Sequence, residues 1–116
     1  MKKIISLLLI CFLLTACGSG YKTIDSNKAM KLIEKGAVVI DVRENNEFLG
    51  GHIEGAVNIP LGTINTVDYE KDKPIIVYCV TGMRSKKAID QLIDMGYTSL
   101  YNLDGGIINW GFELVK

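Results

Sequence analysis

The sequence has no surplus of charge: 13 lysines and arginines face 13 aspartates and glutamates. Nucleic-acid binding, which draws on a basic face, therefore has no support. Histidine occurs once, at His52, so general-base chemistry by imidazole would rest on a single side chain and no metal site is expected. No stretch repeats, and 116 residues leave room for one domain rather than two. The longest apolar run, Ile4 to Leu14 broken only by Ser6, is too short to cross a bilayer as a helix. What the chain does have is 48% hydrophobic residues, ample for a core even after that first run is set aside.

Met1-Lys2-Lys3 followed by the apolar run and then small residues is the pattern of a secretory signal. Its end, Leu14-Thr15-Ala16-Cys17, resembles a bacterial lipobox. That resemblance implies removal of residues 1–16 and acylation of Cys17. Residues 17–22 would be the lipidated cysteine and a short Gly/Ser tether, and residues 23–116 the domain. The expected location is the bacterial cell envelope, anchored in the membrane and facing outside the cytoplasm. Cleavage takes Lys2 and Lys3, leaving 11 basic against 13 acidic residues. Cys11 leaves with the signal and Cys17 carries lipid, so Cys79 has no intramolecular partner and reads as a reactive thiol. Outside the cytoplasm such a thiol needs a thiol donor or a reductase partner to keep it reduced.

Cys79 sits where two patterns meet. Pro74-Ile75-Ile76-Val77-Tyr78 is short, β-branched and without polar alternation, which predicts a strand covered on both faces and hence a parallel sheet. From Ser85 to Met95, Ala88, Ile89, Leu92, Ile93 and Met95 recur at helical spacing, and Gly96 stops the helix. The junction Cys79-Val80-Thr81-Gly82-Met83-Arg84 therefore lies at a strand's carboxyl end and a helix's amino end, where backbone amides converge. A helix start normally favours acids, yet Arg84, Lys86 and Lys87 come before the first one, Asp90. Against the helix dipole each cation costs roughly a few tenths of a kcal/mol unless an anion occupies the loop. A thiolate at Cys79 and an anionic ligand satisfy that condition, and the amides and cations should lower the cysteine's pKa.

The remaining chain alternates in the same way. Thr23-Ile24-Asp25-Ser26 offers caps to a helix near residues 26–35, and Ala37 to Arg43 forms a second buried-type strand ending in an acid and a base, Asp41 and Arg43. A short helix at Glu44 to Leu49 precedes a turn around His52 and a strand at Val57 to Ile59. The segment from Leu61 to Lys73 reads as a loop with one helical turn. Ser99 to Leu103 is a last strand, and Asp104-Gly105-Gly106 a tight turn before a helical turn at Ile107 to Trp110. The sum is a small α/β domain with a mainly parallel central sheet flanked by helices.

These pieces together resemble the rhodanese-like domain of single-domain sulfurtransferases. The resemblance rests on Ile40-Asp41-Val42-Arg43-Glu44, on Gly51-His52-Ile53 with Gly55-Ala56 and Asn58-Ile59-Pro60, on Cys79 to Ser85, and on Leu103-Asp104-Gly105-Gly106 before Trp110. It implies that Cys79 takes a sulfane sulfur from a small anionic donor such as thiosulfate, becomes a persulfide, and passes the sulfur to a thiol or cyanide. No cofactor is implied. Amides from Val80, Thr81, Gly82, Met83 and Arg84 would cradle the outer sulfur, with Ser85 closing the loop. Arg84 and Lys86 would hold the donor and stabilise departing sulfite. Asp41 and Arg43 would organise the site, Asp41 accepting from the loop backbone and Arg43 pairing with an acid such as Glu47. His52 falls in a structural turn, and Trp110 in the core or at the rim.

Two other readings compete. Phosphatases and arsenate reductases also close a cysteine loop with arginine, but with one residue more than Val80-Thr81-Gly82-Met83 between them. The shorter ring suits a single sulfur atom better than a tetrahedral oxyanion. The second is a non-catalytic binding or regulatory module of the same fold, against which the complete set of Cys79, Gly82 and Arg84 argues.

Overall fold

The computed structural model describes residues 20–116, and the expected signal segment with Cys11, together with Cys17, the expected lipid attachment site, lies outside the described residues. Five strands form one sheet: β1 (Tyr21–Ile24), β2 (Val38–Asp41), β3 (Val57–Asn58), β4 (Ile75–Tyr78) and β5 (Leu100–Leu103). Their order across the sheet is β1-β5-β4-β2-β3, and every pairing is parallel.

Strand β4 lies in the middle and is buried on both faces, which is why its sequence lacks alternation. Ile75 and Val77 face α3 (Met83–Asp94), packing with Ala88, Ile89 and Leu92. Ile76 and Tyr78 face the opposite side, with Ala29, Leu32 and Ile33 of α1 (Ser26–Glu34). Each fully buried isoleucine or leucine in these two layers contributes about 2 kcal/mol, and the helices that supply them are amphipathic for that reason.

Two local readings need correction, and a third gains detail. Tyr21 and Lys22, assigned to the tether, belong to β1, which pairs with β5 from Tyr21↔Leu100 to Ile24↔Leu103. This edge strand buries only Ile24, so backbone pairing rather than side-chain pattern makes it. The helix after Cys79 starts at Met83, two residues earlier than its apolar spacing indicated. In the segment from Leu61 to Lys73, the helical turn is a 3-10 stretch (Leu61–Thr66), and Ile64 and Val67 are core residues under α3.

The parallel register sets the strand ends at one edge. Asp41 pairs with Tyr78, and Val77 with Asn102. The segments following β2, β4 and β5 therefore converge, bringing residues 41–43, 79–82 and 104–106 together.

Candidate active site

Cys79 follows the buried end of β4 and is itself 1% exposed. The chain then turns sharply at Gly82, whose φ of 113° lies in the region only glycine enters freely. This turn folds the first amides of α3 back over the sulfur. Gly82 N–H donates to Cys79 Sγ at 3.1 Å and Ser85 N–H at 3.4 Å. The thiol donates to Ser85 Oγ at 3.5 Å, and the Ser85 hydroxyl donates to Asn102 Oδ1 of β5 at 2.6 Å. Burial pushes the Cys79 thiol up, but hydrogen bonds from the Ser85 hydroxyl and from the Ser85, Gly82 and Thr81 amides outweigh it and hold the thiol below its ordinary value. Once sulfur is anionic, the Ser85 hydroxyl can turn its proton from Asn102 Oδ1 toward it.

The loop is braced from outside by the residues after β5. Ile107 N–H donates to the Cys79 carbonyl at 2.9 Å and Ile108 N–H to the Val80 carbonyl at 3.3 Å. With these carbonyls turned outward, the loop amides face the sulfur. Gly106 makes the approach possible: a Cβ there would stand 2.6 Å from the Cys79 carbonyl oxygen and overlap the Val80 carbonyl.

Two arginines lie nearby, and each has a carboxylate. Asp41 and Arg43 form a buried pair with Nη2 to Oδ2 at 2.7 Å and Nε to Oδ1 at 3.0 Å, while Nη2 also donates to the Gly51 carbonyl at 2.7 Å. Arg84 binds Glu47 through both oxygens, Nη1 to Oε1 at 2.8 Å and Nη2 to Oε2 at 3.1 Å. Glu47 lies in α2 (Asn45–Leu49) and closes that helix's capping box, accepting from the Glu44 amide at 2.9 Å. Arg84 and the Glu44 amide hold the Glu47 carboxyl down to about 2.

Comparison with known proteins agrees with this geometry. The family model described as the rhodanese-like domain matches residues 25–113. The chain belongs to the rhodanese-like family. It is 36% identical over 96 residues to the thiosulfate sulfurtransferase GlpE of Pseudomonas fluorescens, covering 79% of this chain and 86% of that protein. It is 49% identical over 80 residues to the uncharacterised protein YqhL of Bacillus subtilis, covering 67% of this chain and 64% of that one. Among solved structures, a rhodanese-related protein from Thermoplasma volcanium aligns with a TM-score of 0.72 at 32% identity, over 82% of this chain and 98% of that one.

Within this rhodanese-like domain the expected residues assemble in part. Cys79, Gly82 and Ser85 converge on the sulfur through the contacts above. Val80 is half-buried and Thr81 exposed, while Met83 is 68% exposed at the rim. Lys86 is exposed on α3, its amide bonded to the Gly82 carbonyl, and makes no ion pair among the described residues. The carboxylate assignments are corrected. Asp41 accepts from the Arg43 amide and guanidinium rather than from the cysteine loop, because residues two apart on extended chain share a side. Arg43 consequently does not pair with Glu47; Arg84 does, and so arrives at the site already neutralised. His52 is structural, its Nδ1 donating to the Phe48 carbonyl at 2.9 Å and its ring stacked on Phe48.

Asn102 escaped the sequence reading. Buried asparagine in an otherwise apolar strand was the available signal, since such a group needs a polar partner. Likewise, only the folded chain brings the Ile107 and Ile108 amides to the loop.

Proposed function

We propose that this rhodanese-like protein is a sulfurtransferase whose covalent carrier is Cys79. The observation that carries the reading is the convergence of the Gly82 and Ser85 amides on a buried sulfur whose pKa is lowered. The thiolate attacks the outer sulfur of a donor, the donor's sulfur bond breaks, and its remainder leaves with the electron pair. Cys79 then carries a persulfide. A thiol or cyanide attacks the outer persulfide sulfur and restores the Cys79 thiolate. The loop amides stabilise negative charge on sulfur in both steps without having to reorganise. The GlpE relatives, named as thiosulfate sulfurtransferases, support the same class of chemistry. The lipobox-like Leu14-Thr15-Ala16-Cys17 supports a membrane-anchored form of the enzyme facing outside the cytoplasm, where a thiol reductase would complete the cycle.

The test is intact mass after incubation with thiosulfate or an organic persulfide. A gain of one sulfur, about 32 Da, that is reversed by thiol and missing in Cys79→Ser is expected of a nucleophilic thiolate. No gain with any donor would leave the non-catalytic binding module as the better reading.

A further inference from the structure

The charge around Cys79 points to a donor class, an inference that rests on the sulfur-transfer reading above. Thiosulfate is a dianion. When the Cys79 thiolate attacks its outer sulfur and sulfite leaves, three negative charges are gathered in one place. An organic persulfide, RS–SH, imposes less: the thiolate takes the outer sulfur with its proton, and RS⁻ departs with the electron pair. The first reaction needs an uncompensated cation beside the sulfur far more than the second.

Neither arginine near the sulfur is one. Arg84 feels the Cys79 charge, but both of its terminal nitrogens are bonded to the Glu47 carboxylate, which offsets its charge. Arg43 is spent on Asp41. Lys86 and Lys87 are exposed on α3 and contribute a diffuse field rather than a grip. Glu47 is also fastened independently of Arg84, through the Glu44 amide that caps α2, so the carboxylate is built into the site. Around the loop stand two exposed apolar side chains, Met83 at 68% and Ile108 at 67%, the latter directly after the amide that braces the Cys79 carbonyl. Those surfaces suit the carbon skeleton of an organic donor and offer sulfite nothing.

We propose that Glu47 sets the donor preference: by neutralising Arg84 it disfavours dianionic donors and leaves Cys79 matched to persulfides carried on organic thiols.

The test uses the full chain in detergent, following Cys79 persulfide formation in a single turnover with thiosulfate and, separately, with the persulfide of an uncharged thiol, 2-mercaptoethanol. Glu47→Gln keeps one oxygen acceptor for the Glu44 amide and Arg84 Nη1, replaces the oxygen that faces Arg84 Nη2 with an NH2 donor, and so removes the charge and loosens Arg84. It is expected to raise the thiosulfate-to-persulfide rate ratio about tenfold, the effect of one uncovered charge on a dianion at this range in a wet site. The thiosulfate rate should also fall more steeply with salt than in the parent. The double variant Glu47→Gln/Arg84→Gln is uncharged at this pair again and should return the ratio to within about twofold of the parent, which a merely structural effect would not do. Persulfide formation with an unchanged or lowered ratio in Glu47→Gln overturns the proposal and leaves sulfur transfer standing. Absence of persulfide from either donor in every variant overturns both.

Discussion

Against burial, which raises it, the Cys79 thiol pKa is lowered chiefly by Ser85 and Gly82, which are themselves buried, so single substitutions around it are read in both the thiol's titration and the stability of the fold. Ser85→Ala removes the hydroxyl that sulfur contacts and keeps the amide. The thiol pKa should rise, seen as an upward shift in the pH profile of alkylation rate, and the melting temperature should fall as well, because buried Asn102 Oδ1 loses its donor. If the profile stays in place, the hydroxyl plays no part in holding the thiolate. Gly106→Ala tests the brace. A methyl group there meets the Cys79 and Val80 carbonyls, and the residue sits at φ 65°. The loss of stability should be on the order of 2 kcal/mol or more by chemical denaturation. That Cys79, Gly82 and Ser85 form one site was legible in the sequence, because a glycine turn between strand and helix has few geometries. Ser85's second partner was not, since Asn102 lies in β5, brought alongside only when the strands pair.

At the scale of elements, two ion pairs fasten neighbouring segments, and they differ in depth. Arg43 joins the end of β2 to the Gly51 turn in the interior. Arg43→Met leaves Asp41 buried and unpaired, and should cost roughly 3 to 5 kcal/mol. Arg84 and Glu47 join α3 to α2 at the half-exposed surface, where side-chain exposures of 35% and 32% screen the interaction. Its signature is therefore pH rather than magnitude. The folded Glu47 carboxyl is depressed to about 2, so its contribution is full above the ordinary carboxylate pKa of about 4.3 and disappears as pH falls through 2. The stability difference between the parent and Glu47→Gln should shrink over that interval in acid unfolding curves. A difference that stays constant from neutral pH to pH about 2 would contradict the depressed carboxyl. Elements with strong side-chain patterns, β4 and α3 above all, could be read in advance. Strand β1 could not, because three of its four side chains stay at or near the surface and its place in the sheet is set by pairing with β5.

For the molecule as a whole, the N-terminal pattern and the folded domain make separate claims. If Cys17 carries lipid, Cys17→Ser should move the protein from the membrane to the soluble fraction while Cys79 still accepts sulfur from a donor. Retention in the membrane without acylation would replace the lipid anchor with an uncleaved apolar one. Sequence alone determined the α/β class, the parallel sheet and the place of Cys79 between a strand's end and a helix's start, because buried strands, helix periodicity and a glycine turn are local consequences of residue type. It could not assign the charges. Which carboxylate neutralises which arginine depends on where α2 and the end of β2 come to rest beside α3, and the two pairs follow from that placement. Only the tertiary structure decided that Arg84 meets Glu47, and with it the net charge that a sulfur donor encounters at Cys79.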